Sequence, residues 1–336
     1  MEETVKKIIE RNKIIKAIRE YFTHNNYTEV DTPILSPSLI PETTIEVFAT
    51  TYVNPNSGKE SPLYLIPSPE IFMKKLLAMG IGNIFQITKS FRNCEEVSSL
   101  HNPEFTMLEW YTVGDTYIES IGVTENLLRH LKEQLKIEHL RYGETTIDLD
   151  SPFEIISVEE LFKKKLGVNL STLINDENYI NHILEKQKLL YNKSSNWQEK
   201  FNQLFLAYIE PTLPKEHPVI VIDYPSKIKT LAKRHKNPDF SQRWELYIAG
   251  IEIANCYTEE DNPKNIREFL EQEEKKKEKA LIKHKTDREF YKYFYNFPPC
   301  SGVAMGIERL MMIFLNKKEI RGVIPFSIFD SIYPSI

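Results

Sequence analysis

Residues 91–111 read FRNCEEVSSLHNPEFTMLEWY and are the most informative stretch of the chain. They consist of two apolar, strand-like runs joined by a polar loop that carries an arginine, acidic residues, a histidine and an asparagine. An arginine at a strand end can hold a phosphate with its planar guanidinium, and a phenylalanine close by can lie flat on a base. The stretch therefore predicts a long antiparallel pair, 83–92 and 104–113, whose connecting loop helps to bind a nucleotide.

The composition indicates a large soluble protein without a nucleic-acid-binding charge balance. The 336 residues include 43 Lys and Arg against 48 Asp and Glu, which gives a net charge of −5. A nucleic-acid partner usually leaves a basic balance or a basic stripe, so a tRNA partner is not expected. The three cysteines have no paired spacing, and the N-terminus has no signal-type apolar core. No apolar run reaches the roughly 20 residues that span a bilayer, so we expect a cytoplasmic protein with no membrane partner.

The order of patterns along the chain predicts an α+β fold. Apolar residues at helical spacing open the chain, and two strand-like runs at 46–53 and 63–66 precede a helix at 69–79. Sheet character returns at 218–224 and 243–257, followed by a charged helix at 262–283 and a strand-to-helix segment at 302–315. Residues 115–214 are mostly helical and polar, and we interpret them as an insertion within a single domain over 1–336.

A second arginine, Arg309, lies in Gly-Val-Ala-Met-Gly-Ile-Glu-Arg-Leu at 302–310, where a glycine-rich strand leads into an apolar helix. This segment and residues 91–111 together resemble motifs 3 and 2 of class II aminoacyl-tRNA synthetases, most closely those of the lysine branch. Taken alone, Arg92 would be read as a surface arginine. The resemblance covers almost the whole chain and implies a class II catalytic core, an antiparallel sheet flanked by helices. Residues 26–33 and the preceding helix resemble motif 1, which in that family forms a homodimer interface.

The resemblance also implies an ATP site and its magnesium. Arg92 is expected on the α-phosphate and Arg309 near the γ-phosphate, as catalytic cations together with Glu252, while Phe105 and Arg309 enclose the adenine. Glu245 and Glu252 flank a predicted turn and are expected to hold Mg²⁺, although two ordinary strand carboxylates would look the same. The full set of expected ATP contacts is Arg92, Asn93, Glu95, Asn102, Phe105, Glu252, Ile253, Gly306 and Arg309.

Matching the lysine branch residue by residue implies a site for an amino acid with a distal ammonium. Glu70 is expected to take the main amine, Asn255 the carboxylate, and Glu259 with Tyr111 the distal ammonium. Core packing for Tyr111 and a helix-dipole role for Glu70 remain open alternatives. The expected substrate contacts are Ser68, Glu70, Tyr111, Asn255, Glu259 and Ala304.

Within the lysine branch, the chain resembles the free-standing lysine ligases that modify elongation factor P. The first helix begins at the first residues, where a lysyl-tRNA synthetase would carry an N-terminal OB-fold. Ala304 stands where the synthetases have glycine and the ligases have alanine. The resemblance therefore implies an ATP-dependent ligase that forms an adenylate of lysine or (R)-β-lysine and passes it to a lysine of elongation factor P. Alternatives are a truncated lysyl-tRNA synthetase, a non-catalytic regulatory paralogue and an aspartate-ammonia ligase.

Two departures from the family pattern affect these expectations. Cys94 follows Asn93 where the family has glutamate, which lengthens the loop by one residue before Glu95. Cys256 replaces a glycine next to Asn255. If that position needed a positive φ, a cysteine would strain the backbone and displace Asn255.

Overall fold

The central feature of the fold is a mixed sheet that runs through most of the chain. The structure, a computed structural model, describes residues 2–94, 98–278 and 280–328. The strands in chain order are β1 (Thr28–Glu29), β2 (Leu35–Ser36), β3 (Phe48–Val53), β4 (Glu60–Leu65), β5 (Ile84–Phe91), β6 (Glu104–Val113), β7 (Leu140–Tyr142), β8 (Thr145–Ile147), β9 (Glu154–Ser157), β10 (Val219–Ile222), β11 (Arg243–Ile248), β12 (Ile251–Thr258) and β13 (Cys300–Gly306). Over the described residues, the main sheet has eight strands in the order β1-β5-β6-β13-β12-β11-β10-β9.

Helices cover the sheet and connect its strands. They are α1 (Glu2–His24), α2 (Glu70–Ala78), α3 (Glu119–Gln134), α4 (Val158–Leu166), α5 (Leu170–Asn175), α6 (Glu177–Lys186), α7 (Trp197–Leu204), α8 (Pro263–Lys277) and α9 (Ile307–Phe314). A π-helical turn at Phe205–Ile209 and short 3₁₀ segments at Glu210–Thr212, Phe290–Tyr295 and Ile320–Gly322 complete the set. Among the described helices, none has the length and apolar character needed to cross a membrane. The predicted α+β fold is confirmed.

The predicted long hairpin is confirmed in position and direction. β5 and β6 pair antiparallel from Ile84 opposite Tyr111 to Phe91 opposite Glu104. Alternate residues of β6 face opposite sides of the sheet. Leu108 and Trp110 enter the main core, where α1, α3 and α9 pack. On the other side of the strand, Phe105, Met107, Glu109 and Tyr111 line a cavity.

Helix α1 is buried along only part of its length. Its C-terminal half enters the main core through Ile14, Ala17, Ile18, Tyr21 and Phe22, and the Phe22 ring stacks on Phe85 with centroids 4.8 Å apart. In contrast, Val5, Ile8 and Ile9 in the first turns are each about half exposed. The helix therefore presents an apolar patch that the described part of the chain leaves half exposed.

The segment 115–214 has a core of its own and also contributes to the main sheet. Its helices α4 to α7 enclose a second apolar cluster that includes Phe162, Trp197 and Phe201. However, α3 packs on α1, and β9 extends the main sheet by pairing parallel with β10. The insertion boundaries remain an interpretation of the sequence.

The turn predicted at Ala249-Gly250 joins β11 to β12. Both residues have positive φ, 52° and 78°, and the two strands pair antiparallel with a register shift between Leu246 and Tyr247. Such a turn matches the twist of the hairpin. It brings the two strands that carry Glu245 and Glu252 side by side.

Candidate active site

The site is one face of the four central strands, β6, β13, β12 and β11. Residues that are direct neighbours across these strands form two rows on the same face. One row is Glu109, Ala304, Asn255 and Glu245, and the next row, two residues along, is Tyr111, Gly302, Tyr257 and Arg243. Both rows line a cavity of about 1250 Å³. This volume exceeds the roughly 300–1,000 Å³ of a typical small-molecule pocket, so the cavity can hold more than one group at a time.

The first end of the cavity carries the two predicted phosphate arginines. The guanidinium carbon of Arg92 lies 5.3 Å from the centroid of the Phe105 ring. Arg309, in the first turn of α9, donates from Nη1 to the backbone oxygen of Glu252 at 3.0 Å, and its Nη2 lies 2.7 Å from His101 Nε2. Both arginines therefore line one cavity with an aromatic ring, the combination that a nucleotide requires. The predicted enclosure of adenine by Phe105 and Arg309 stays a prediction, because the cation over the ring here is Arg92.

The remaining predicted nucleotide contacts differ in whether they line the cavity. Asn102 is buried and lines the cavity, and its Oδ1 accepts no hydrogen bond from the described residues. The described side chain of Asn93 does not line the cavity. It donates to Val47 O at 3.2 Å and accepts from Cys94 N. Ile253 and Gly306 also line the cavity. The predicted contact Glu95 lies outside the described residues.

The two predicted metal carboxylates differ in their exposure and in the hydrogen bonds that they already accept. Glu245 is buried and already engaged: it accepts from Arg243 Nη2 at 2.5 Å, Tyr224 Oη at 2.5 Å and Tyr247 Oη at 2.7 Å. Glu252 keeps 42% of its side chain accessible and lies 3.4 Å from Arg309 Nη1. Desolvation inside the cavity, together with the charge of Glu245, raises the pKa of Glu252. Glu252 is therefore the carboxylate that is more open to a cation.

A third carboxylate, Glu210, faces the same region and was missed in the sequence. Burial and the charges of Glu252 and Glu245 raise its pKa to about 7. Over the described ranges, no group of three or more His, Cys, Asp or Glu side chains is arranged to hold a metal by itself. One or two carboxylates that share Mg²⁺ with phosphates would fit this arrangement, since Mg²⁺ usually keeps other oxygen ligands.

The second end of the cavity is rich in carboxylates. We call it the closed end, because the carboxylates of Glu109 and Glu259 are buried there. Glu70, in the first turn of α2, and Glu259, just after β12, both line it. Lys74, which is 0% exposed, stands behind them with Nζ 2.5 Å from Glu70 Oε1 and 2.6 Å from Glu259 Oε2. The Lys74 ammonium therefore also serves as the hydrogen-bond donor to Glu259 Oε2.

Glu109 is the most important residue that the sequence analysis missed. Its Oε1 accepts from Tyr111 Oη at 2.6 Å, while its buried Oε2 has no hydrogen-bond donor in the described part of the chain. Burial, followed by the charge of Glu70, raises the pKa of Glu109 to about 8. Burial likewise raises the pKa of Glu259 to about 7, although Lys74 opposes this effect. One buried carboxylate oxygen, Glu109 Oε2, is thus without a donor among the described residues at this end of the cavity.

Gly302 allows these groups to come together. A Cβ atom on Gly302 would lie 2.2 Å from Glu259 Oε1 and 2.5 Å from Tyr111 Cε1. Such contacts are well inside van der Waals distance, so the glycine is what lets Tyr111 and Glu259 share the floor of the cavity.

The other predicted substrate residues also line the cavity. Ala304 lies between Glu109 and Asn255 in the sheet. The Asn255 side chain accepts from Arg243 Nε at 3.1 Å and donates to Tyr257 Oη at 2.9 Å. Ser68 accepts from the backbone N–H of Glu70 at 3.2 Å and so fixes the start of α2.

The two cysteine departures have different outcomes. Cys256 lies in the regular part of β12, opposite Trp244 and Val303, and its buried Sγ is 3.1 Å from Ser120 Oγ. Its extended strand conformation does not require a glycine. The backbone strain that would have displaced Asn255 is therefore absent at Cys256. Cys94 is exposed and has a φ of +57° at the start of the loop.

A signal for Glu109 was present in the sequence. Phe105, Met107, Glu109 and Tyr111 alternate along β6, and two of them had been assigned to the site, which places Glu109 on the same face. The roles of Lys74 and Glu210 could not be read in this way, because Glu259 lies far from Lys74 in sequence and the carboxylates that influence Glu210 lie on β11 and β12.

Comparison with known proteins identifies the family. The family model "tRNA synthetases class II (D, K and N)" matches residues 1–329. The "Elongation factor P--(R)-beta-lysine ligase" of Buchnera aphidicola subsp. Schizaphis graminum (strain Sg) is 36% identical over 331 residues, covering 96% of this chain and 96% of the relative. The "Elongation factor P--(R)-beta-lysine ligase homolog" of Aquifex aeolicus (strain VF5) is 35% identical over 306 residues, covering 91% and 94%.

Relatives of a second kind are almost equally similar. The "Lysine--tRNA ligase" of Pelotomaculum thermopropionicum (strain DSM 13744 / JCM 10971 / SI) is 34% identical over 328 residues, which are 96% of this chain and 63% of that protein. The family match extends over nearly the whole chain and includes both predicted arginines and the carboxylate-rich end of the cavity. The chain therefore belongs to the class II (D, K and N) tRNA synthetase family.

Proposed function

We propose that this chain is an ATP-dependent ligase that activates lysine or (R)-β-lysine as an aminoacyl-adenylate and transfers it to a lysine side chain of elongation factor P. The observation that carries the proposal is the match to relatives named elongation factor P ligases, which covers 96% of both chains in the Buchnera case. The cavity supports it, because it holds arginines and an aromatic ring together with buried carboxylates, and one of these, Glu109, has an oxygen without a donor among the described residues.

The closed end favours a substrate with a distal ammonium. Glu109 Oε2 is buried and has no hydrogen-bond donor among the described residues, and the Glu259 carboxylate lines the same end of the cavity. A hydrogen bond to a charged group contributes about 1.5–3 kcal/mol. A neutral side chain would leave Glu109 Oε2 without a donor, and a site built for polar recognition rejects such analogues strongly. We assign the main amine to Glu70, as the resemblance implies.

In the activation step the substrate carboxylate oxygen attacks the α-phosphorus of ATP. A new P–O bond forms, the bond to the β-phosphate oxygen breaks, and pyrophosphate leaves. Arg92 and Arg309 meet the negative charge that develops, and Phe105 holds the base. Mg²⁺, when bound, would neutralise phosphate oxygens, with Glu252 as its main protein ligand and Glu245 or Glu210 beside it.

In the transfer step a neutral acceptor amine attacks the carbonyl carbon of the adenylate. An amide bond forms, the bond to phosphate breaks, AMP leaves, and the amine loses a proton to a phosphate oxygen or water. The protein acts through position and charge, without a covalent nucleophile. The volume of the cavity leaves room for the acceptor side chain to enter beside the adenylate.

Charging of tRNA is the second candidate function, because the lysine--tRNA ligases are nearly as similar in sequence. The acidic net charge gives it no support. ATP–pyrophosphate exchange with (R)-β-lysine, α-lysine, aspartate and no amino acid separates the candidates. We expect exchange with a lysine isomer and subsequent labelling of elongation factor P. Labelling of tRNA in place of the factor would favour the second candidate, and no exchange with any amino acid would overturn both.

We also propose that the active form is a cytoplasmic homodimer. The support is the half-exposed apolar patch of Val5, Ile8 and Ile9 on α1, the helix that resembles the dimer-forming motif. Ile8→Glu should convert the dimer to a monomer in light scattering, whereas a wild-type monomer would refute the proposal. The cytoplasm is proposed because the acceptor is a translation factor.

A further inference from the structure

A buried lysine stands directly behind the two carboxylates that are expected to bind separate amines of the substrate. Lys74 Nζ lies 2.5 Å from Glu70 Oε1 and 2.6 Å from Glu259 Oε2, and its side chain is 0% exposed. Lys74 is not among the residues that line the cavity, so it does not touch the substrate. A buried cation in this position acts on the substrate only through the carboxylates it holds.

The charges at the closed end can be counted. Glu70, Glu109 and Glu259 line the cavity and contribute three negative charges when ionised, and Lys74 contributes one positive charge, so 1 − 3 = −2. A diamino acid brings two ammonium groups at this end, which gives neutrality. Glu42 also lines the cavity; burial, followed by the charge of Glu70, raises its pKa to about 7, and Arg92, Lys277 and Lys74 oppose this effect.

We propose that Lys74 is a specificity-determining positioning residue, which holds Glu70 and Glu259 in place and favours a negative charge beside it, so that the closed end matches a doubly charged amino acid. The inference rests on the proposed function and deepens it. Without Lys74, like charges would crowd a desolvated space, and carboxylates in that situation take up protons. Protonated carboxyl groups no longer attract an ammonium, so the pocket would lose its preference for lysine.

The surroundings of the pair support this role. Lys74 lowers the pKa of Glu109 and Glu259, whereas burial and the charge of Glu70 raise it. The titratable groups that face one another here come from several elements: Glu42, Glu70, Glu109, Tyr111, Glu259 and Cys300. Within this group Lys74 is the cation that lies within ion-pair distance of two of the carboxylates.

The same helix offers a matched control. Lys75 forms one ion pair, with Asp287 at 2.6 Å, on the side of α2 away from the cavity. Lys74→Met and Lys75→Met each remove one ammonium and its ion pairing from the same helix. Only the first should alter recognition of the amino acid.

The test is ATP–pyrophosphate exchange between pH 6 and 9 with lysine and with norleucine, which lacks the distal ammonium. For Lys74→Met at pH 7, we expect the KM for lysine to rise by about 30-fold, because one partner of a buried pair has been removed. The KM for ATP should change by less than about threefold, and the preference for lysine over norleucine should fall. The lysine KM should recover towards the wild-type value at pH 9, where the carboxyl groups ionise without Lys74. Lys75→Met should show none of these changes.

The outcomes separate the inference from the proposed function. Wild-type protein without exchange on either lysine isomer would overturn both. Wild-type exchange together with an unchanged lysine KM and pH profile in Lys74→Met would overturn only the inference. An equal rise in both KM values without recovery at high pH would indicate a structural role and would also overturn it. If Lys74→Met does not fold, Lys74→Gln removes the charge while keeping a donor, and the same criteria apply.

Discussion

Replacing Glu109 with glutamine tests whether the closed end of the cavity binds an ammonium through a carboxylate that is protonated when the pocket is empty. The pKa of Glu109 is raised to about 8 by burial and the charge of Glu70. At pH 7 the carboxyl group is then about one-tenth ionised, and at pH 6 about one-hundredth. An ammonium that binds at Oε2 requires the ionised form, so binding must expel the proton.

The ionised fractions of Glu109 determine how many protons are released on binding and how strongly the lysine affinity depends on pH. Lysine binding at pH 7 should release about 0.9 proton from Glu109, and affinity should improve roughly 50-fold between pH 6 and 8, or about 2.3 kcal/mol. The raised pKa of Glu109 also makes folding stability depend on pH, and stability falls with rising pH whereas lysine affinity increases. Because the folded pKa is raised, the folded protein holds the proton, and the contribution to stability falls as pH rises from about 4.5 towards 8. Bound lysine should remove that loss by supplying a cation.

Isothermal titration calorimetry of lysine in two buffers with different ionisation enthalpies measures the released protons directly. Glu109→Gln should release about 0.9 proton fewer than wild type at pH 7, leaving only the contribution of other groups such as Glu259. Glu104→Gln on the same strand is a matched control, because Glu104 is exposed and pairs with Lys89 at 3.0 Å. Equal proton release by wild type and Glu109→Gln would refute the reasoning.

Two further predictions follow from the packing around the site. Gly302→Ala should raise the KM for lysine at least tenfold without a comparable change in the KM for ATP, because its Cβ would lie 2.2 Å from Glu259 Oε1; normal lysine kinetics would show that the floor can move. Arg11→Met should lower the free energy of unfolding by about 3 kcal/mol in urea titrations, since Arg11 pairs at 3.0 Å with the buried Glu308. Arg19→Met, at an exposed pair, should lower it by less than about 1 kcal/mol, and equal losses would contradict the burial argument.

The sequence predicted the parts of the fold that local pattern determines. The hairpin of β5 and β6 and the turn at Ala249-Gly250 were placed correctly, because alternation and turn chemistry are short-range signals. The helix predicted at 262–283 is α8, which ends at Lys277. Beyond that residue, the Glu46 carboxylate accepts from the backbone N–H groups of Leu281 and Ile282, a long-range contact that no local pattern contains.

The site was predictable where the family pattern names residues and not where tertiary contacts set their state. Glu245 was expected to be a metal ligand, yet hydroxyl groups of Tyr224 and Tyr247 and the guanidinium of Arg243 already occupy its oxygens. Lys74 meets Glu259 across 185 residues of sequence, and helical spacing alone could relate it only to Glu70. Spacing can therefore indicate which residues meet on one element, whereas charge states depend on partners that the fold supplies.

The geometry of the sheet is compatible with either isomer of lysine as the substrate of the proposed reaction. Asn255 and Glu109 lie on β12 and β6 with Ala304 of β13 between them. Strands are about 4.8 Å apart, so Asn255 and Glu109 are separated by roughly 10 Å, which suits an extended lysine with a hydrogen bond at each end. α-Lysine and β-lysine share the carboxylate and the distal ammonium and differ in the position of the other amine along the chain. Ligases for the two isomers can thus keep both ends of the pocket and differ beneath its middle, which is where the methyl group of Ala304 lies.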